Sequence, residues 1–220
     1  MIFIKELSNL LIIRKHLKNN FEIKKQNKYI NEISMKIILY IFIMLVLIIT
    51  LFFFYENYSF NKYIINQPRK EKMNIPINTN APVISKGQIE ILAPIDTVWN
   101  ILTNIKDWPK WQKSVSETEV LGNIEEGTKF NWKAAGLSFK SKIHTSKPNV
   151  NFGWTGSTLG ASAIHNWTLI KDSNKTIVIV EESLQGVFPK LFKSYFQKNL
   201  DKGILTNLMD LKNASELKIK

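Results

Sequence analysis

His165 and one carboxylate of the pair Glu181 and Glu182 are the side chains in this sequence best suited to moving a proton or orienting a polar ligand group. Of the 3 histidines, His16 precedes a long apolar run, His144 sits near the end of an expected strand, and His165 lies within one. If residues 161–170 alternate with period two, His165 shares a face with Ala161, Ala163, Trp167 and Leu169. Small alanines beside two large rings leave space for a ligand. The opposite face carries Ser162, Ile164, Asn166, Thr168 and Ile170. The competing reading makes His165 a structural residue whose ring is satisfied by its neighbours.

Glu181 and Glu182 follow Ile177, Val178, Ile179 and Val180, so alternation turns one carboxylate inward and the other to solvent. Trp132, Phe139, Phe152 and Trp154 fall on successive expected strands, where they line a pocket or fill a core. Trp108 and Trp111 bracket Pro109 and read as structural, fixing a turn. Cysteine is absent, which excludes disulfides, thiolate nucleophiles, Cys-based zinc sites and lipobox attachment. No Gly-rich phosphate loop, metal-ligand cluster or Ser/His/Asp arrangement is present, and Gly153 to Ser157 lacks a nucleophile-elbow spacing. No cofactor and no metal is expected.

These residues need elements to hold them. In a chain of 220 residues with 45% hydrophobic content, one compact domain plus an appendage is the expectation. The appendage is Ile37 to Tyr55, an uncharged run that at about 1.5 Å per residue nearly crosses a hydrocarbon layer of about 30 Å. It reads as an uncleaved transmembrane helix, because no small-residue cleavage site follows and the whole circumference is apolar. Residues 1–36 form a basic segment. Leu7, Leu10, Leu11, Leu17 and Phe21 recur there at helical spacing, as in a surface-lying helix; alternatively Met35, with Lys36, is the true start.

The net charge of +12 is densest beside this run: residues 1–82 hold 12 Lys/Arg against 5 Asp/Glu, and residues 83–220 hold 18 Lys against 13. Anionic lipid fits such a distribution, whereas nucleic acid does not, since no arginine stands in the C-terminal portion to grip phosphate or guanine bidentately. Lys24, Lys25, Lys28 and Lys36 precede the span and Lys62, Arg69 and Lys70 follow it, a slight bias toward a cytoplasmic N-terminus and a C-terminal domain outside.

Residues 56–82 are polar and punctuated by Pro68, Pro76 and Pro82, as in a tether. Beyond them a strand is expected over Ile84 to Leu92 and a helix over Ile95 to Ile105, with Val98, Ile101, Leu102 and Ile105 on one face and Asp96 or Thr97 as its cap. Turn signals then divide the chain into strands at 114–121, 128–134, 137–146, 150–156, 161–170 and 175–184. A last helix over Pro189 to Leu211 carries Leu191, Phe192, Tyr195, Phe196, Leu200, Ile204, Leu208 and Leu211. The expected fold is α+β, a curled antiparallel seven-stranded sheet wrapped around a long C-terminal helix and preceded by one transmembrane helix.

Four short stretches, Ile91 to Trp99, Ile105 to Trp111, His165 to Trp167 and Glu181 to Gly186, stand in an order that resembles the START-like helix-grip (SRPBCC) superfamily, particularly its polyketide cyclase/dehydrase-like branch, over about residues 83–215. The resemblance implies a cavity between sheet and last helix for a small apolar or amphipathic molecule, and it selects Glu182, which stands two before Leu184 and four before Gly186. Asn166 stands where family members often carry arginine, so a cationic contact like theirs is not expected here. The functional expectation is a membrane-tethered binding protein for a lipid or polyketide-like ligand, with Trp132, Phe139, Phe152, Trp154, His165, Trp167 and Tyr195 at the ligand. The alternatives are a cyclase/dehydratase-type enzyme using His165 and Glu182, or a ligand-free membrane scaffold.

Overall fold

The structure is a computed structural model that describes residues 2–67 and 75–217, with the backbone alone for 2–13. Two compact units result, 1–51 and 52–220. From residue 2 the first is helical, part of α1 (Ile2–Asn66). Its apolar side chains from Ile37 onward are exposed, and by length and composition it is the one described helix able to cross a membrane.

In the second unit α1 ends at Asn66. The stretch expected to be a tether from residue 56 is therefore helical at its start, and Glu56 and Phe60 are buried. Residues 68–74 of that stretch lie outside the described residues. The segment after them is held against the sheet: Asn78 donates from Nδ2 to Gln185 Oε1 at 2.6 Å and from its backbone N to Ser183 Oγ at 3.1 Å.

Seven strands follow the expected positions closely: β1 (Val83–Ile91), β2 (Val115–Val120), β3 (Lys129–Ala134), β4 (Leu137–Lys147), β5 (Asn151–Thr158), β6 (Ala161–Asp172) and β7 (Lys175–Gln185). They form one antiparallel sheet in the order β1-β7-β6-β5-β4-β3-β2. Short turns dictate this meander. Ala135 and Gly136 both take positive φ, 48° and 78°, the geometry a two-residue hairpin needs to match strand twist.

Between β1 and β2 stand α2 (Ile95–Thr103), a 3-10 turn at Ile105–Asp107 and α3 (Trp108–Trp111). The predicted apolar face of α2 is buried, Val98, Ile101 and Leu102 included. Its predicted cap is not formed. Pro94 takes the cap position without a side-chain bond, and the Asp96 carboxylate instead accepts from Asn149 Nδ2. At the C-terminal end the expected single helix is two, α4 (Val187–Leu191) and α5 (Lys193–Leu217), broken at Phe192 where φ and ψ are −121° and 43°.

The concave side of the sheet packs α5 through Leu200, Ile204, Leu208 and Leu211, a stripe at helical spacing. Gly87 permits the close approach: a Cβ there would lie 2.8 Å from both Ile204 Cγ2 and Leu208 Cδ1. On the opposite, convex side Ile164 and Asn166 are also buried, and Asn166 Nδ2 donates to the Ile75 carbonyl at 2.7 Å.

Candidate functional site

Alternation along β6 sends Ala161, Ala163, His165 and Trp167 to the concave side, where they line a cavity of about 240 Å³ between sheet and α5. Trp132 and Phe139 from β3 and β4, Trp154 from β5 and Phe196 from α5 close it. Its inner wall is a set of interlocked rings. Trp108 meets Phe130 and Trp132 edge-on at 5.7 and 5.9 Å and tilts against Trp154 at 5.3 Å, while Trp132 stacks on Phe139 at 4.5 Å. Aromatic contacts of this kind hold the wall in shape without a ligand.

In this apolar surround His165 and Glu182 form a polar pair. They are direct partners across β6 and β7, and His165 Nδ1 lies 2.6 Å from Glu182 Oε2. A carboxylate without its proton only accepts, so Nδ1 donates in this contact, and Nε2 is an acceptor whenever the ring carries a single proton. The ring stacks on Trp154 at 4.3 Å and 11° and tilts against Trp167 at 5.5 Å. It is 5% exposed, and Nε2 is buried without a partner among the described residues. A buried acceptor held by a carboxylate behind it can bind a hydroxyl or take a proton from one.

The structure thus brings together Trp132, Phe139, Trp154, His165, Trp167 and Glu182. Two expected lining residues are elsewhere. Phe152 is fully buried behind the wall, edge-on to Trp99 of α2 at 6.0 Å. Tyr195 is 68% exposed, because the stripe through Phe196, Leu200 and Ile204 turns it away from the cavity and leaves its ring an edge contact with Phe196. Conversely Trp108 and Trp111, read as structural, both line the cavity. Gln112 and Asn207 also line it and bridge its wall at 2.9 Å; nothing local in the sequence marks such a distant pair. Among the described residues no group of three or more His, Asp or Glu is placed to hold a metal ion.

His144 is separate from this pair. Its Nδ1 contacts Thr145 Oγ1 at 2.9 Å, and burial first, then the nearby His165, lower its pKa from 6.5 to about 4. A group that must lose its proton to fold stabilises fully above its unfolded value. Stability is therefore expected to fall as pH drops from about 6.5 toward 4, by up to about 3 kcal/mol. Equilibrium unfolding at several pH values tests this. The His144→Gln variant should lose less over that window, and equal pH slopes for both proteins would refute the assignment.

Residues 83–212 match the family described as polyketide cyclase / dehydrase and lipid transport. Solved structures of similar fold include a hypothetical protein of Helicobacter pylori (17% identity, TM-score 0.58, covering 68% of this chain and 96% of that one). A Thermus thermophilus protein is similar at 15% identity and TM-score 0.55, covering 62% of this chain and 99% of its own. The Zhui aromatase/cyclase of a Streptomyces species is similar at 12% identity and TM-score 0.55, covering 62% and 95%. No curated protein matches the chain.

Proposed function

The chain belongs to the polyketide cyclase / dehydrase and lipid transport family, and on that premise we propose that it is a membrane-anchored binding protein for a small hydrophobic or amphipathic molecule, such as a lipid or a polyketide-like ring. The single observation that carries this reading is the aromatic cavity with the His165–Glu182 pair in its wall: rings to bury an apolar body, and His165 Nε2 to receive one hydroxyl. Residues 37–55 serve as the anchor, and the lysine bias around them favours a C-terminal domain outside the cytoplasm. An anchor keeps the cavity near ligands that partition into lipid, which raises their effective concentration.

A second reading, proton-transfer catalysis of the cyclase or dehydratase kind, is favoured by the 2.6 Å His165–Glu182 contact, which has the form of a base held by its orienting group.

The test compares the full chain, purified in detergent, with its Ala163→Trp variant. Ala163 lines the cavity as a small side chain, so an indole there fills the space. Organic extracts of the parent are expected to contain an apolar molecule by mass spectrometry, and extracts of a folded variant to lack it. A parent that carries nothing and binds no apolar fluorophore would leave the binding reading without support.

A further inference from the structure

One end of the cavity lies at the tips of two hairpins. Leu137, Thr158 and Ala161 line it at the hairpin ends of β4, β5 and β6, and Leu137 is half exposed. That end is in contact with the last apolar turn of α1. Phe53 meets Phe188 of α4 edge-on at 5.8 Å, and a Cβ on Gly160 would lie 3.0 Å from Phe53 and 2.6 Å from Phe188. Lys190 sits 5.9 Å over the Phe52 ring and pairs with the buried Glu56. The β5–β6 hairpin, α4 and residues 52–56 are thus one cluster, and Phe52 to Tyr55 are the final residues of the apolar run.

Around this cluster the surface is apolar. Leu159 at the hairpin tip is 78% exposed, and Leu191, Phe192 and Tyr195, which follow Phe188 and Lys190 in sequence, are exposed too. Large exposed apolar side chains gathered around one cluster mark a surface that is covered in use. Charge says by what. Just past the apolar run, Asn57 and Asn61 stand about 3 and 9 Å farther along the helix axis, and they share a cleft with Lys129, Lys140 and Lys142. Lys129 and Lys142 are directly opposed across β3 and β4, an arrangement that costs stability. None of the three has a carboxylate within ion-pair distance among the described residues, whereas Lys86, Lys133 and Lys175 are paired with Glu181, Glu117 and Glu90. Apolar side chains at the level where a span ends, followed by unpaired lysines at the depth of phosphate headgroups, match the layering of an anionic bilayer surface.

We propose that the domain sits on the membrane with the hairpin end of its cavity down, Leu159, Leu191 and Phe192 in the interfacial layer, so that ligand passes between cavity and bilayer without crossing water. This rests on the reading of residues 37–55 as a span.

The chain has no cysteine, so single cysteines can carry an environment-sensitive fluorophore without background. The full chain is reconstituted in vesicles of phosphatidylcholine and phosphatidylglycerol containing doxyl-labelled lipid, with labels at Leu159→Cys, Phe192→Cys, Ile48→Cys and Leu92→Cys. Ile48 lies in the apolar run. Leu92 is exposed at the other end of the sheet, next to Ile91, which pairs with Thr176. The expected result is loss of emission to doxyl at Leu159, Phe192 and Ile48, and none at Leu92. Quenching at Ile48 alone would overturn the docked arrangement and leave the span intact. No quenching at any position, Ile48 included, would remove the span and the proposal together. A blue shift at Leu159 without quenching would mean that protein rather than lipid covers the patch, and quenching at Leu92 as well would refute an oriented domain; either overturns it.

Discussion

Replacing Trp108 by alanine is expected to lower the unfolding free energy by about 3 to 5 kcal/mol, the range for removing a large buried ring. The ring is 2% exposed and touches Phe130, Trp132 and Trp154, so its loss opens a void that the remaining rings cannot close without leaving their own contacts. Trp108 Nε1 also donates to the Leu102 carbonyl at 2.9 Å, inside the wall and out of reach of solvent. Against a total stability of roughly 5 to 15 kcal/mol, that loss removes from about a fifth to all of the margin. Trp108→Phe keeps one ring in the void and removes the donor, so the smaller loss expected for it, of which the unpaired Leu102 carbonyl contributes about 1 to 3 kcal/mol, gauges the second effect. Denaturant unfolding of the detergent-solubilised chain provides the measurement. A loss under about 1 kcal/mol for Trp108→Ala, the ordinary size of a point-mutant effect, would mean that this ring does not hold the cavity wall.

His165→Phe is expected to weaken binding of a hydroxyl-bearing ligand by about 10- to 100-fold, while an apolar ligand of the same size keeps its affinity. A hydrogen bond to a charge-supported partner is worth about 1.5 to 3 kcal/mol, and each 1.4 kcal/mol is about tenfold. The phenyl ring preserves the stack on Trp154, so the comparison isolates the ring nitrogens. Fluorescence or calorimetric titration of the two ligands reads the difference, and equal losses for both would show a packing defect instead of a lost acceptor. The companion Glu182→Gln retains an oxygen that accepts from His165 Nδ1 but has no carboxylate charge. Under the binding reading it should weaken the hydroxyl-bearing ligand by less than His165→Phe does, because the acceptor stays and only the charge behind it is lost. Under the catalytic reading turnover should fall by about 10²- to 10⁴-fold, the usual contribution of a positioned acid or base, with ligand affinity held.

Several structural features were visible in local sequence because they depend on nearest neighbours along the chain. The strands at 129–134, 137–147 and 175–185 follow from alternation bounded by turn residues. The pairing of His165 with Glu182 is legible by the same logic: a two-residue turn at Ser173 and Asn174 sets Asp172 against Lys175, and stepping back from it along both strands, with no bulge between, brings the two side chains opposite each other. That Asn166, the neighbour of His165, turns to the convex side also follows from period two, although its partner, the Ile75 carbonyl, does not.

Other features depended on how distant elements met. Tyr195 and Phe196 are equally apolar in sequence, and only the docking of α5 on β1, with Gly87 beneath Ile204 and Leu208, decides which ring enters the cavity. Phe152 and Trp154 alternate alike on β5, yet α2 covers one of them with Trp99 and leaves the other beside His165. Glu56 reads as the start of a tether until the end of α1 and Lys190 of α4 are placed together. By itself, then, the sequence determined the apolar run, the strand and helix periods and the faces those periods imply, since each is set by backbone geometry within a few residues. Tertiary structure alone decided which residues on a given face bound empty space and which fill the core, because a cavity is what remains after elements far apart in the chain have packed.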